Sequence, residues 1–149
     1  MGNAIFTMKK PKLKSQFLTP LKTQGIKGFD FFLLEDFSFY SNVIKDTIVV
    51  PKGFVCDGTS GFLKDDAKEP AVLHDYSYRS PDHKINVLRN GVLFPVYVAK
   101  STGDRIFLEA MKVWKVPAWK RWARYLGVVI GGAESYRTGP SRFKIVSIP

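Results

Sequence analysis

From Ala71 to Arg79 the chain reads Ala-Val-Leu-His-Asp-Tyr-Ser-Tyr-Arg, and this stretch restricts the fold more than any other. Wound as a helix, it places Ala71, His74 and Tyr78 on one face at i, i+3 and i+7, so an ionisable imidazole stands in an apolar stripe. Further on, Ser101–Met111 repeats the arrangement, with Asp104 at the head of a stripe continued by Phe107, Leu108 and Met111. A carboxylate turned inward is costly unless it is paired and hydrogen-bonded. His74 is the partner with matching chemistry. The expectation is two helices packed face to face, each giving one half of a His–Asp pair.

Caps and prolines set the helix limits. The first helix is expected over about 67–79, with Asp65 or Asp66 as cap, Pro70 near its start and Ser80-Pro81 as its stop. The second is expected over about 101–114, capped by Ser101 or Thr102, and the third over about 117–133. Between the first two, Asn90-Gly91 flanked by apolar runs signals a β-hairpin over about 84–99, expected to protrude as an insertion. Phe31–Tyr40 reads as a strand that turns into a second one. Asp46–Cys56 reads as a strand, a Pro51-Lys52-Gly53 turn and a short strand. The tail, Ser141–Ile148, alternates and reads as a last strand. The 149 residues then compose a basic N-terminal arm over 1–27 and one α+β domain over 28–149, a small antiparallel β-region packed on a three-helix core.

Apolar residues make up 45% of the chain and aromatic residues 14%, which excludes a disordered or low-complexity protein. The formal charge of +10 favours nucleic acid, anionic membrane or an acidic protein as partner, without choosing among them. The arm carries Lys9, Lys10, Lys12, Lys14, Lys22 and Lys27 and no acid. Its plainer reading is a solvated tail; its functional reading is a contact to phosphates or acidic groups. The third helix interleaves Lys120, Arg121 and Arg124 with Trp119, Trp122 and Tyr125. That mixture suits a membrane interface or a nucleic-acid groove, although the commoner arrangement turns the tryptophans to the core and the bases to water.

The lone Cys56 leaves no intrachain disulfide and, without an activating base beside it, reads as a small buried hydrophobe. His83, next to Pro81 and Asp82, reads as a surface residue. No signal peptide is expected, since Met1–Phe6 is uncharged and Met8–Lys14 is basic with no apolar run after it. Phe6 stands where a myristoylation motif needs Ser or Thr. The longest apolar run, Leu126–Ala133, falls far short of the ~20 residues of a spanning helix, so a soluble protein is expected.

If His74 and Asp104 meet, the carboxylate fixes the imidazole tautomer and leaves the other ring nitrogen as a general base. Asp75 points about 100° away around the helix and could hold a cation or bind Arg79 at i+4. Calcium wants several oxygens, and Asp75 with the carbonyls around Asp57–Gly61, where Gly58 and Gly61 allow close approach, would begin a site. Water activated by His74, attacking an ester whose oxyanion lies on the cation, completes a hydrolytic mechanism. The plainer alternative is a core histidine bonded to Asp104 so that both can be buried.

Val49–Ser60, then His74-Asp-Tyr-Ser-Tyr, then Asp104–Met111 resemble an uncharacterised family of tailed-phage and bacterial proteins, known as a domain of unknown function. That resemblance implies a phage-related protein encoded near virion or tail genes, expected in the host cytoplasm, the virion or both, and implies no established activity. More loosely, the order loop, His-Asp-x-x-Tyr, Asp-x-x-Phe is similar to the phospholipase A₂ superfamily. Carried over, it implies His74 as general base, Asp104 as its orienting acid, Asp75 as calcium ligand and Gly58, beside Asp57, as a loop contributor. Two function classes follow: a calcium-assisted hydrolase of lipid or another ester, and a non-enzymatic virion or tail protein. In the second, the lysines of the arm and Lys120, Arg121 and Arg124 bind phage structural proteins or anionic lipid; nucleic acid is not favoured.

Overall fold

In the computed structural model, residues 13–28, 30–56 and 67–148 are described. Eight strands come in the order β1 (Gln16–Phe17), β2 (Thr23–Gly25), β3 (Phe31–Leu33), β4 (Phe37–Ser41), β5 (Asp46–Val50), β6 (Val55–Cys56), β7 (Lys84–Arg89) and β8 (Val92–Tyr97). The helices are α1 (Lys68–Arg79), between β6 and β7, and α2 (Lys100–Val113), α3 (Ala118–Gly131) and α4 (Ala133–Thr138), after β8. The protein is α+β. A five-stranded antiparallel sheet runs β1-β4-β5-β7-β8, and a smaller one runs β2-β3-β6.

Alternation builds the larger sheet. In β4, Phe37, Phe39 and Ser41 point inward, and Phe37 and Phe39 pair with Val50 and Ile48 of β5. Ile85 and Val87 of β7 extend the same buried face. Against it pack Val72, Leu73 and Tyr76 of α1 and Ile106 and Ala110 of α2. A second apolar cluster, Phe107, Met111, Val116 and Val128, joins α2 to α3.

Several expectations are corrected. The 84–99 hairpin is present, with Asn90 and Gly91 both at positive φ in its turn, but it does not protrude. Its first strand pairs with β5, and the burial of Ile85 and Val87 makes it part of the main sheet. The tail forms no strand. Gly139–Arg142 forms a 3-10 turn with Pro140 near its start, and the chain beyond meets Gly53 and Val55 by two backbone hydrogen bonds and a single bridge, Phe54 to Ile145. Ala67 and Ala99, not polar residues, stand at the N-cap positions of α1 and α2, and neither offers a side-chain cap. Ser101 and Thr102 lie inside the first turn of α2, while Asp65 and Asp66 lie outside the described residues. The third helix ends at Gly131, and Ala133–Thr138 forms a short fourth helix.

Leu13–Lys27 contributes β1 and β2, which pair with β4 and β3. Glu109 of α2 anchors this stretch, accepting from the Ser15 hydroxyl at 2.5 Å, the Ser41 hydroxyl at 2.6 Å and the Asn42 amide at 2.7 Å.

The orientation of α3 is the largest departure. Tyr125 and Val128 pack on α2, whereas Trp119, Trp122, Leu126, Val129 and Ile130 face outward. Trp119 is 72% exposed and Ile130 81%. The bases, expected in water, are the half-buried side: Lys120, Arg121 and Arg124 flank the packed face, and Arg121 donates to the Val116 carbonyl at 3.3 Å. Among the described residues, no helix is long and apolar enough to cross a membrane.

Candidate active site

His74 and Asp104 meet. Nε2 of His74 lies 3.3 Å from Oδ1 of Asp104, joining the middle of α1 to the first turns of α2. Gly103 permits the approach, because a Cβ there would stand 2.7 Å from Oγ of Ser77 on α1. The Ser77 hydroxyl in turn donates to the His74 carbonyl at 2.8 Å.

The pair belongs to a larger network. The Tyr78 hydroxyl, one turn after His74, donates to Oδ1 of Asp104 at 2.5 Å. Lys100, one turn before Asp104, places Nζ 2.8 Å from Oδ2. The same ammonium donates to the Val128 and Val129 carbonyls of α3 at 2.8 and 3.3 Å. Asp104 is 1% exposed, yet both its oxygens are engaged, so the carboxylate satisfies the condition for burying a charge.

Burial pushes the Asp104 carboxyl upward, but the hydrogen bonds from His74, Lys100 and Tyr78 outweigh it and hold the group below the usual aspartate range. Burial also raises the Tyr78 hydroxyl, reinforced by its bond to Asp104, so Tyr78 keeps its proton. An ionised Asp104 is an acceptor only, which assigns the hydrogen of the contact to Nε2 and leaves Nδ1 of a neutral His74 with the free lone pair. The imidazole is held between Tyr78 and Phe107, with ring centroids 4.0 and 4.8 Å away, and its side chain keeps 12% exposure. It is oriented but not sealed. An open hollow of about 520 Å³, lined by Lys100, Ser101, Arg105, Tyr125 and Val129, reaches Asp104.

The other expected site residues are more scattered. The Asp75 carboxylate, expected as a calcium ligand or as the i+4 partner of Arg79, faces Arg79 at 4.0 Å. Asp57 and Gly58 lie outside the described residues, as do Lys9, Lys10 and Lys12. Lys14 is exposed, far in sequence from the cluster on α3. His83 stacks on Tyr136 at 3.7 Å. Cys56 is buried.

The model of a family described as Protein of unknown function (DUF1353) matches residues 31–128, well over half of the chain. The chain belongs to that family. The matched span of this DUF1353 member runs from β3 to Val128 of α3 and holds His74, Tyr78, Lys100 and Asp104 together. No curated protein and no solved structure matches the chain. The comparisons add nothing to the looser likeness to phospholipase A₂.

Proposed function

We propose that this DUF1353 member is a hydrolase in which His74 is the general base and Asp104 its orienting acid, acting on an ester, with lipid as the leading substrate class. The observation supporting this reading is the 3.3 Å contact from Nε2 of His74 to a carboxylate that Tyr78 and Lys100 keep ionised. Nδ1 takes a proton from water, and the nascent hydroxide attacks the ester carbonyl. Asp104 holds the imidazole in register and stabilises the imidazolium that forms. The protonated imidazole then returns the proton to the leaving alkoxide.

Calcium stays outside this mechanism. The described residues hold no group of three His, Cys, Asp or Glu side chains suited to a metal ion. Asp75 is the only one of the proposed ligands among them, and the Arg79 guanidinium beside it opposes a cation. The residues described do not by themselves fit the ion. Whether residues 57–66 complete a site is read directly by calcium titration of the full chain.

The test is ester and phospholipid hydrolysis by the wild type and by His74→Ala, with thermal unfolding run alongside. Loss of turnover by at least about a hundredfold in a folded variant supports the hydrolase. Wild-type protein inactive on every ester, with or without calcium, rejects it.

A second reading is a non-enzymatic virion or tail protein of a phage, in which the buried network serves assembly of the fold. It draws on the Lys100 ammonium, which links Asp104 to the end of α3 and gives the carboxylate a structural task. In that case His74→Ala leaves infectivity intact, and neutralising the lysines of the arm damages it.

A further inference from the structure

The outward stripe of α3 has the composition of a buried face. At 100° per residue, Trp119, Trp122, Leu126, Val129 and Ile130 fall within an arc of about 100°. All five are exposed, while Val128 on the opposite side, with Tyr125 at one flank of the stripe, holds the helix to α2. An apolar stripe of this kind normally faces a core.

Charge selects the occupant. From Ala110 to Ala133 the chain has five cations, Lys112, Lys115, Lys120, Arg121 and Arg124, and no acid. Two of them border the stripe, with Nζ of Lys112 5.8 Å from the Trp122 ring centroid and Nζ of Lys120 5.5 Å from that of Trp119. Lys115 stands exposed just before the helix. A second copy of the chain on this face would bring the same cations together between two molecules of charge +10. An anionic surface neutralises them instead. The helix has 14 residues, a length of about 21 Å against the ~30 Å of a bilayer core, so it lies along a membrane and does not cross it.

We propose that α3 docks in the plane of an anionic lipid surface, with the stripe from Trp119 to Ile130 at the acyl boundary and Lys112, Lys115 and Lys120 on headgroup phosphates. The docking stripe meets the His74 network at Val129, whose carbonyl accepts from Lys100, but His74 itself is no part of it, and the proposal holds whether or not the chain is a hydrolase.

The experiment is co-sedimentation of the full chain with vesicles of equal parts phosphatidylglycerol and phosphatidylcholine, and with vesicles of phosphatidylcholine alone. Tryptophan emission is the second readout. Binding to the anionic vesicles is expected, with emission moving to shorter wavelength and with binding weakened by salt. Ile130→Asp, at a position 81% exposed and so harmless to the core, is expected to lower partitioning at least about tenfold. Lys115→Glu combined with Lys120→Glu should do the same. His74→Ala should bind as the wild type does, which separates this test from the hydrolytic one. No binding to either vesicle overturns the proposal, as does undiminished binding by Ile130→Asp or equal affinity for the neutral vesicles. A dimer that Ile130→Asp dissociates, without vesicle binding, assigns the stripe to a second copy and also overturns it.

Discussion

The Tyr78 hydroxyl reaches Oδ1 of Asp104 at 2.5 Å, closer than the 3.3 Å that separates the same oxygen from Nε2 of His74. The tyrosine is therefore the firmer of the two α1 contacts to the carboxylate. Tyr78→Phe removes that hydrogen bond and keeps the ring packed on His74 and Tyr136. A loss of about 1.5–3 kcal/mol is expected, the range for a hydrogen bond to a charged group, read as a lower urea midpoint at unchanged slope.

Acid should weaken the network in a defined direction. The Asp104 carboxyl is held below its ordinary 3.8 because the bonds from His74, Lys100 and Tyr78 outweigh burial. A carboxyl depressed in the folded state contributes stability that is complete above the ordinary value and disappears as pH falls through the lower, folded one. The difference in melting temperature between the wild type and Asp104→Asn should thus be constant near neutrality and shrink below pH 3.8. A difference that stays constant into strong acid would mean that the charge of Asp104 does not matter to the fold.

Gly103 tests the helix contact itself. A Cβ at this position meets Oγ of Ser77 at 2.7 Å and Cβ of Ser77 at 3.3 Å, so in Gly103→Ala the Ser77 hydroxyl must turn off the His74 carbonyl and α1 must yield by a few tenths of an ångström. Overpacking of this kind costs about 1–3 kcal/mol. Gly103→Ala with Ser77→Gly should recover most of it, in a thermal or urea double-mutant cycle.

The His–Asp pair was legible because a helical period of 3.6 puts His74 within one apolar stripe and Asp104 at the head of another, and buried opposite chemistry has few partners available. Tyr78 was visible on the same face as His74, but periodicity carries no information on which oxygen a hydroxyl reaches. Lys100 was missed although its signal, a cation four residues before Asp104, is plain; starting the helix at Ser101 hid it. The stripe on α3 was equally plain, but the pattern does not say which side meets the body. Here Val128, Tyr125 and the long arms of the bases are enough to seat the helix, and the tryptophans are left outside. In the tail, alternation suggested a strand. Strand pairing needs a neighbouring edge in register, and Gly53–Val55 offers room for one bridge.

The most direct measurement is a double-mutant cycle on His74 and Asp104, read as kcat/KM for an ester that the wild type hydrolyses. If Asp104 works through the imidazole, Asp104→Asn costs turnover in the wild type and almost nothing further in His74→Ala, so the two losses are strongly non-additive. Losses that simply multiply, or wild-type activity in a folded His74→Ala, would contradict a catalytic pair and leave the contact a purely structural one.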